Sequence, residues 1–427
     1  MELLFLTNFY PPLARGGYEL WCQEVAEGLC TRGHKVLVLT SQGGTSDHAD
    51  GNPRIARELH LEMDFTRWRN ALLFFSDRHR RTRVDIACAR RWINRVRPDA
   101  VVIWGMWNIP RAVPAIAEAC CPETTVYYLG DYWPTLRSQW WDYWASPASN
   151  GPFALAKRSL GTLAVRQLGR EVEPTLRLPH ALFPTEFLRR AYEQAGLAPA
   201  RSAVVRGAVK CSAFSAVARA RKARPGQPLR LLVAGRVVPD KGIGTAIEAL
   251  AVLARTYRRT DGVLTIAGAG EEVHVSALRG LATTLGVSDR VQFIGAVNPH
   301  DMPALYAAHD VLVFPSTWGE PFGRVMVEAM AAGLPVLAAA VGGVTEIVEN
   351  EKTGLVFEPG NAADLAARIL RVADDAALRA RLAAAGRETA FTSFDIARMT
   401  ESIERYLEDV VRRPTSRSGT ASCCTVT

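Results

Sequence analysis

Two glutamates, Glu320 and Glu328, flank the run Pro321-Phe322-Gly323-Arg324-Val325-Met326-Val327. Spacing alone would suit two carboxyls sharing acid and base work. Their context points elsewhere. Glu320 follows the apolar strand Val311–Pro315 and a short loop, whereas Glu328 falls inside the helix expected next, so the segment can wrap a ligand and offer each carboxylate a different part of it. Carboxylates accept hydrogen bonds from sugar and ribose hydroxyls, and the backbone N–H groups of Phe322, Gly323 and Arg324 at the helix start can donate to the same molecule. A diphosphate in such a ligand requires positive partners. Arg236 and Lys241 follow the strand Leu229–Ala234, one a planar fork and the other a point charge. Gly16 and Gly17 lie between the first strand and the first helix, where backbone without side chains approaches a phosphate closely. None of these features is specific alone; their common position, after a strand and before a helix, is what joins them.

The elements that must carry them follow a repeating pattern. Strands at Leu3–Thr7, Lys35–Thr40, Ala100–Trp104 and Thr125–Leu129 alternate with helices at Glu19–Arg32 and near Pro110–Ala119, with Gly28 to Gly33 ending the first helix. Such alternation demands parallel βαβ crossovers. Pro225 and Gly226 sit in a polar stretch that reads as a linker at 218–228. Beyond it, Leu229–Ala234, Val263–Ala267, Val291–Gly295, Val311–Pro315, Pro335–Ala339 and Leu355–Phe357 repeat the pattern. The expected organisation is a Rossmann-like domain over 1–217, a second over 229–397, a helix at about 398–412 returning to the first, and a disordered tail over 413–427. A chain of 427 residues has room for two such cores.

A dinucleotide-binding fingerprint is excluded: Gly268-Ala269-Gly270-Glu271-Glu272-Val273 lacks the third glycine and places acids where a pyrophosphate would sit. The eight cysteines form no C-x-x-C pair, no zinc spacing occurs, and no Asp-x-Asp element is present. Free thiols in a cytoplasmic protein are expected, and the last four residues do not form a prenylation box. Met1–Leu6 reads as a strand rather than a secretory signal, and Gly333, Pro335, Gly342 and Gly343 break the longest uncharged stretch, so no membrane span is expected.

The net charge of +8 is concentrated. From Phe65 to Arg97 ten arginines meet only Asp77 and Asp85, and the rest of the chain sums to neutral. One reading is a solvated helix whose buried stripe is Val84, Cys88, Trp92 and Val96; the other is peripheral contact of Arg67–Arg97 with an anionic membrane or a phosphate-bearing acceptor. No recognition motif for nucleic acid accompanies the arginines. Six of the ten tryptophans, at 104, 107, 133, 140, 141 and 144, gather in the first half, either as an acceptor pocket or as packing.

With Glu320 and Glu328, Arg236, Lys241 and Gly16-Gly17 assembled, the chain resembles the retaining glycosyltransferases of family 4, glycosyl transferases group 1. The likeness is strongest over Leu229–Glu358, through Phe314-Pro315-Ser316, Ala332-Gly333-Leu334-Pro335-Val336, Gly342-Gly343-Val344-Thr345-Glu346 and Thr353-Gly354-Leu355-Val356. Arg32-Gly33-His34-Lys35-Val36 and Thr185-Glu186-Phe187-Leu188 extend it thinly into the first half. The resemblance implies the GT-B fold, two Rossmann-like parallel-sheet α/β domains facing each other across a cleft. It implies a nucleotide-diphosphate sugar as donor, no cofactor and no metal, and transfer to an acceptor with retention. Glu320 would touch the donor sugar, Glu328 the ribose, Arg236 and Lys241 the diphosphate, and Gly17 would close over it. Relatives carry a histidine before the aspartate at the end of the strand corresponding to Tyr127–Leu129. Here Leu129-Gly130-Asp131 lacks it, leaving Asp131 as the candidate acceptor contact or as a turn residue. Two alternatives stay open: a nucleotide-sugar epimerase or hydrolase on the same fold, and a catalytically silent sugar-nucleotide-binding protein.

Overall fold

A computed structural model of the chain describes residues 1–14, 16–43, 52–64, 67–146, 154–215 and 228–412. The chain divides into two compact units, one of Met1–Pro184, Arg189–Val205 and Thr400–Thr427, the other of Thr185–Leu188 and Arg206–Met399. The linker expected at 218–228 lies, but for Pro228, outside the described residues, as does the tail over 413–427.

The first unit is built on a parallel sheet of β1 (Glu2–Leu6), β2 (Lys35–Ser41), β3 (Ile55–Leu59), β4 (Ala100–Ile103), β5 (Thr125–Tyr128), β6 (His180–Phe183) and β7 (Arg201–Val204), in the order β3-β2-β1-β4-β5-β6-β7. Leu3 to Leu6 are all fully buried, because helices cover both faces and leave no solvent side to alternate towards. Three of these strands, β3, β6 and β7, were not expected. The outer two, β3 and β7, mix charged and small residues, as sheet edges do, and β6 is a four-residue run between Pro179 and Pro184.

The helices of this unit are α1 (Gly17–Thr31), α2 (Arg67–Ser76), α3 (Arg78–Val96), α4 (Ala112–Cys120), α5 (Gln139–Ala145) and α6 (Ala154–Leu168). Helix α7 (Glu186–Gln194) starts within the second unit and ends in the first. Gly28 does not end α1; it lies inside the helix, where an added Cβ would come within 2.9 Å of Thr400. The buried stripe of α3 is Asp85, Cys88, Ala89 and Ile93, and Val84 is 44% exposed. The expected stripe was thus rotated by about one residue, because Asp85 turns inward to accept from His60 Nδ1 at 2.8 Å.

In the second unit β8 (Leu229–Ala234), β9 (Gly262–Ala267), β10 (Val291–Gly295), β11 (Val311–Phe314), β12 (Val336–Ala339) and β13 (Leu355–Phe357) form a parallel sheet of order β10-β9-β8-β11-β12-β13. Its helices are α8 (Ile243–Thr256), α9 (Glu272–Leu285), α10 (Met302–Ala307), α11 (Arg324–Ala331), α12 (Ala362–Asp374) and α13 (Ala376–Ser393). Leu231, Val233, Ile247, Leu250, Val313, Leu337 and Ile369 belong to one buried core between sheet and helices. Asn361 caps α12 through its side chain, which accepts from Asp364 N at 3.0 Å. Residues 206–215, which the sequence placed with the first domain, group instead with the second, where Val209 pairs with Asp395.

The last helix, α14 (Ile396–Arg412), enters the first unit from Thr400 onward. There Glu404 accepts from Arg32 at 2.6 Å and pairs with His34 at 2.7 Å, and Arg201 reaches Asp409 at 2.8 Å. His180 is engaged structurally, with Glu123 O at 3.0 Å and Tyr406 Oη at 3.3 Å.

Candidate active site

In the second unit the sequence-selected residues converge where the carboxyl ends of β8 and β11 lie side by side. The turn after β8 folds as a single 3-10 turn, Pro239–Lys241, closed by Gly242 in the left-handed region. An added Cβ at Gly242 would lie 2.0 Å from Pro315 O, so only glycine lets this turn press against the end of β11. Thr317 N donates to Asp240 O at 2.9 Å and Ser316 Oγ to the same oxygen at 3.1 Å, tying the two loops together.

Across that seam Lys241 Nζ meets Glu320 Oε2 at 2.6 Å. The same oxygen accepts from Trp318 Nε1 at 2.8 Å and from Ser316 Oγ at 3.3 Å. Lys241 Nζ also lies 5.7 Å from the ring centre of Phe314 and 5.5 Å from that of Trp318. Glu320 is buried, and its backbone is gripped from behind: Gly343 N donates to Glu320 O at 2.8 Å, while an added Cβ at Gly342 would stand 2.4 Å from that oxygen. Trp318, absent from the sequence-derived set, is therefore part of this cluster; its position two residues before Glu320 was the available signal.

Glu328 is buried too, with Tyr306 Oη donating to Oε2 at 2.9 Å and Arg324 Nε to Oε1 at 2.9 Å. Arg324 and Glu328 are i, i+4 neighbours on α11, the spacing at which side chains on one helix face meet. Gly323 caps this helix at φ 96° and Phe322 packs against Phe394. Arg236 is exposed and makes no ion pair among the described residues. The glycines rejected as a dinucleotide fingerprint shape its loop: an added Cβ at Gly268 would fall 1.7 Å from Gly235 O, and one at Gly270 2.3 Å from Val237 O.

Arg236, Lys241, Phe314 and Ser316 line a cavity of about 10 Å³, space for about one water. A larger depression of about 410 Å³, lined by Glu349, Asn350, Glu358 and Asp364 among others, carries no cationic side chain and suits a diphosphate poorly. Thr185 and Glu186, read as first-domain residues, sit against this unit: Thr185 Oγ1 donates to Pro321 O at 2.7 Å, and Glu346 accepts from Glu186 N at 2.9 Å.

In the first unit Gly16 precedes α1 and its N–H donates to Glu19 at 2.9 Å, with Gly17 opening the helix. Asp131 lies after β5, its carboxylate accepting from Trp133 N at 3.3 Å and its carbonyl from Tyr192 Oη at 2.7 Å. Burial, with a smaller contribution from the Glu19 carboxylate, pushes its pKa up to about 7. The residue before it explains the departure from the family pattern. Tyr18 donates to Tyr128 O and accepts from Gly130 N at 3.0 Å, and its ring leaves only 2.7 Å to an added Cβ at Gly130. A histidine at this position would collide with Tyr18. Asn8, at the carboxyl end of β1, was missed: it is buried, and neither polar atom of its amide has a partner among the described residues.

The tryptophans divide. Trp104 is core, stacked on Tyr128 at 4.5 Å and donating to Tyr18 O at 3.0 Å. Trp140 and Trp144 form a separate small core with Phe74, Ala164 and Leu168. Trp133 is buried, whereas Trp107 and Trp141 keep partial exposure.

Two parallel sheets in tandem, with cations and carboxylates at the carboxyl ends of the second, define a GT-B protein. Matches to known proteins agree. The sequence model of glycosyl transferases group 1 matches residues 215–389, and that of glycosyltransferase family 4 matches residues 15–213. The chain belongs to this family of glycosyltransferases. It is 28% identical over 405 residues to a glycogen synthase of Mycobacterium tuberculosis, covering 92% of this chain and 91% of that one. It is 39% identical over 189 residues to a D-inositol 3-phosphate glycosyltransferase of Streptomyces avermitilis, 43% of this chain and 40% of that one. Among solved structures, sucrose-phosphate synthase of Thermosynechococcus elongatus superposes with a TM-score of 0.71 at 20% identity, over 96% of this chain and 99% of the other. HepE of Anabaena, solved in complex with UDP and glucose, gives 0.67 at 24% identity, over 95% and 99%.

Proposed function

We propose that this glycosyltransferase uses a nucleotide-diphosphate sugar as donor and transfers its sugar to a hydroxyl acceptor with retention of anomeric configuration. The observation that carries this reading is the Lys241–Glu320 pair beside Arg236: a cation for the diphosphate and a carboxylate for sugar hydroxyls meet within one hydrogen bond. The Anabaena HepE structures with UDP and with UDP-glucose support a donor of this class. On donor binding Lys241 turns from Glu320 to the phosphate and leaves the carboxylate to the sugar.

In the transfer the bond between the anomeric carbon and the diphosphate oxygen breaks, the acceptor oxygen bonds to that carbon, and its proton passes to the departing phosphate. Arg236 and Lys241 stabilise the charge that develops there, which is the main catalytic contribution and requires no metal ion. Glu320 orients the sugar and Glu328 the ribose. The backbone at Phe322, Gly323 and Arg324 stands at the start of the helix beside them, and Gly16 and Gly17 approach the phosphates. Asp131 contacts the acceptor. A cytoplasmic setting accords with this donor chemistry and with the free thiols of the described cysteines. No described helix is long and apolar enough to cross a membrane.

A panel of nucleotide sugars, screened by thermal shift and then for nucleotide release with and without hydroxyl acceptors, tests the reading. A donor that stabilises the protein and releases nucleotide only with acceptor supports it, and the product's anomeric configuration, read by NMR, tests retention. Acceptor-independent release or isomerisation of the sugar would make the protein a hydrolase or epimerase. Donor binding without turnover under any acceptor would make it a silent binder.

A further inference from the structure

The arginine-rich segment 67–97 draws attention to α3, but the structure engages several of its charges. Arg78 reaches Glu171 at 2.7 Å, Arg80 and Arg81 share Asp77 at 2.6 and 2.9 Å, and Arg91 pairs with Glu58. A different face emerges from two helices that are far apart in sequence. Helices α2 and α6 pack around one small core, in which Phe74 of α2 meets Trp140 and Trp144 of α5 and Ala164 and Leu168 of α6. Trp144 is wedged between them: Phe75 is in edge contact with it at 5.7 Å, and Cε3 of its ring lies 3.7 Å from an added Cβ at Gly161.

On the outside of this core the two helices expose large apolar side chains. Leu72 is 65% exposed, Phe75 41%, Leu160 39% and Leu163 56%. The same helices contain Arg67, Arg69, Lys157, Arg158 and Arg166 and not one aspartate or glutamate. Scattered surface leucines need no explanation. Three leucines and a phenylalanine on two helices that share one core, with a wholly basic complement of charges in those helices, have the composition of a surface that inserts apolar groups among lipid tails while cations meet anionic headgroups.

We propose that the α2/α6 face docks the protein on an anionic lipid surface, with Leu72, Phe75, Leu160 and Leu163 entering the interface and Arg166 contacting the headgroups, while Arg69 stays paired with Asp64 at 3.9 Å. The occupant is argued from charge: a neutral apolar partner would not call for the absence of every acid over both helices, whereas a negatively charged bilayer would. The docking is independent of the transfer reaction and does not require the donor assignment to hold.

The test uses the full chain and co-sedimentation with vesicles of phosphatidylcholine containing phosphatidylglycerol, against phosphatidylcholine alone. Binding is expected only to the anionic vesicles and weakens with salt. Leu72→Gln with Leu163→Gln, and separately Arg166→Glu, lower vesicle affinity about tenfold. Arg90→Glu on α3 changes it less than twofold. Unchanged circular dichroism and melting, together with unchanged nucleotide release in solution, separate lost docking from lost folding. No preference for anionic vesicles overturns the proposal, as does loss of binding in Arg90→Glu but not in the α2/α6 variants. Concentration-dependent self-association abolished by Leu163→Gln would reassign the face to a second copy of the chain.

Discussion

Lys241 Nζ and Glu320 Oε2 stand 2.6 Å apart, joining the loop after β8 to the loop after β11. Glu320 Oε2 is the shared acceptor of Lys241, Trp318 and Ser316, so removing the lysine leaves the buried carboxylate only its neutral donors. Lys241→Met should weaken donor affinity at least tenfold, measured by calorimetry with the stabilising nucleotide sugar, and cost roughly 1–3 kcal/mol of stability. Donor affinity unchanged in this variant would remove the lysine from the diphosphate site.

Trp318 provides a finer test of the same cluster. Trp318→Phe keeps an aromatic ring beside Lys241 but deletes the indole N–H that holds Glu320. With one neutral hydrogen bond to a buried carboxylate lost, stability should fall by about 1–2 kcal/mol and turnover more than donor affinity. An equal loss in both would mean that Trp318 serves binding rather than orientation of Glu320.

Gly342 is held at φ 55°, with the Glu320 backbone where a side chain would begin. Gly342→Ala must both strain its own backbone and push Glu320 forward, so a loss of about 2 kcal/mol or more in urea unfolding is expected. Turnover should fall with it, although residue 342 carries no functional group. Gly360→Ala, also at positive φ but with open space around it, should lower stability and leave turnover intact.

Asp131 yields a prediction in pH. Its folded pKa of about 7 lies above the ordinary carboxyl value, so the folded protein holds this proton more tightly than the unfolded chain. The resulting stability is fully present in acid and is lost as pH rises from about 4 through 7. Asp131→Asn should therefore be more stable than the parent at pH 8, by roughly 1–3 kcal/mol, and match it more closely at pH 5. If Asp131 contacts the acceptor, the same variant loses turnover while gaining stability. A variant that is equally stable but fully active would leave Asp131 as a turn residue.

Tyr306 is fully buried and donates to Glu328, whose other oxygen is taken by Arg324. Tyr306→Phe should cost about 1 kcal/mol and raise KM for the donor with little change in kcat, since the carboxylate loses a positional restraint and no charge. A fall in kcat at constant KM would place Glu328 in the chemical step instead.

The alternation of strands and helices, and the places after β8 and β11 where the candidate residues lie, were legible in the sequence because they are local. An apolar run followed by glycine and a cation, or by a loop and a capped helix, is written within about a dozen neighbours, and parallel strands buried on both faces need no partner to be recognised. The edge strands β3 and β7 were not legible, since their charged and small residues are tolerated only because a neighbouring strand pairs with them. Nor was the rotation of α3, which follows from His60 drawing Asp85 inward. Gly130 in place of a histidine is intelligible only beside Tyr18, 112 positions away in sequence. The same holds for α2 and α6, whose shared aromatic core turns two unremarkable basic helices into one face. Local chemistry was determined by the sequence itself. Which groups meet was decided by tertiary packing, because burial, steric exclusion and ion pairing act between residues that the order of the chain does not place together.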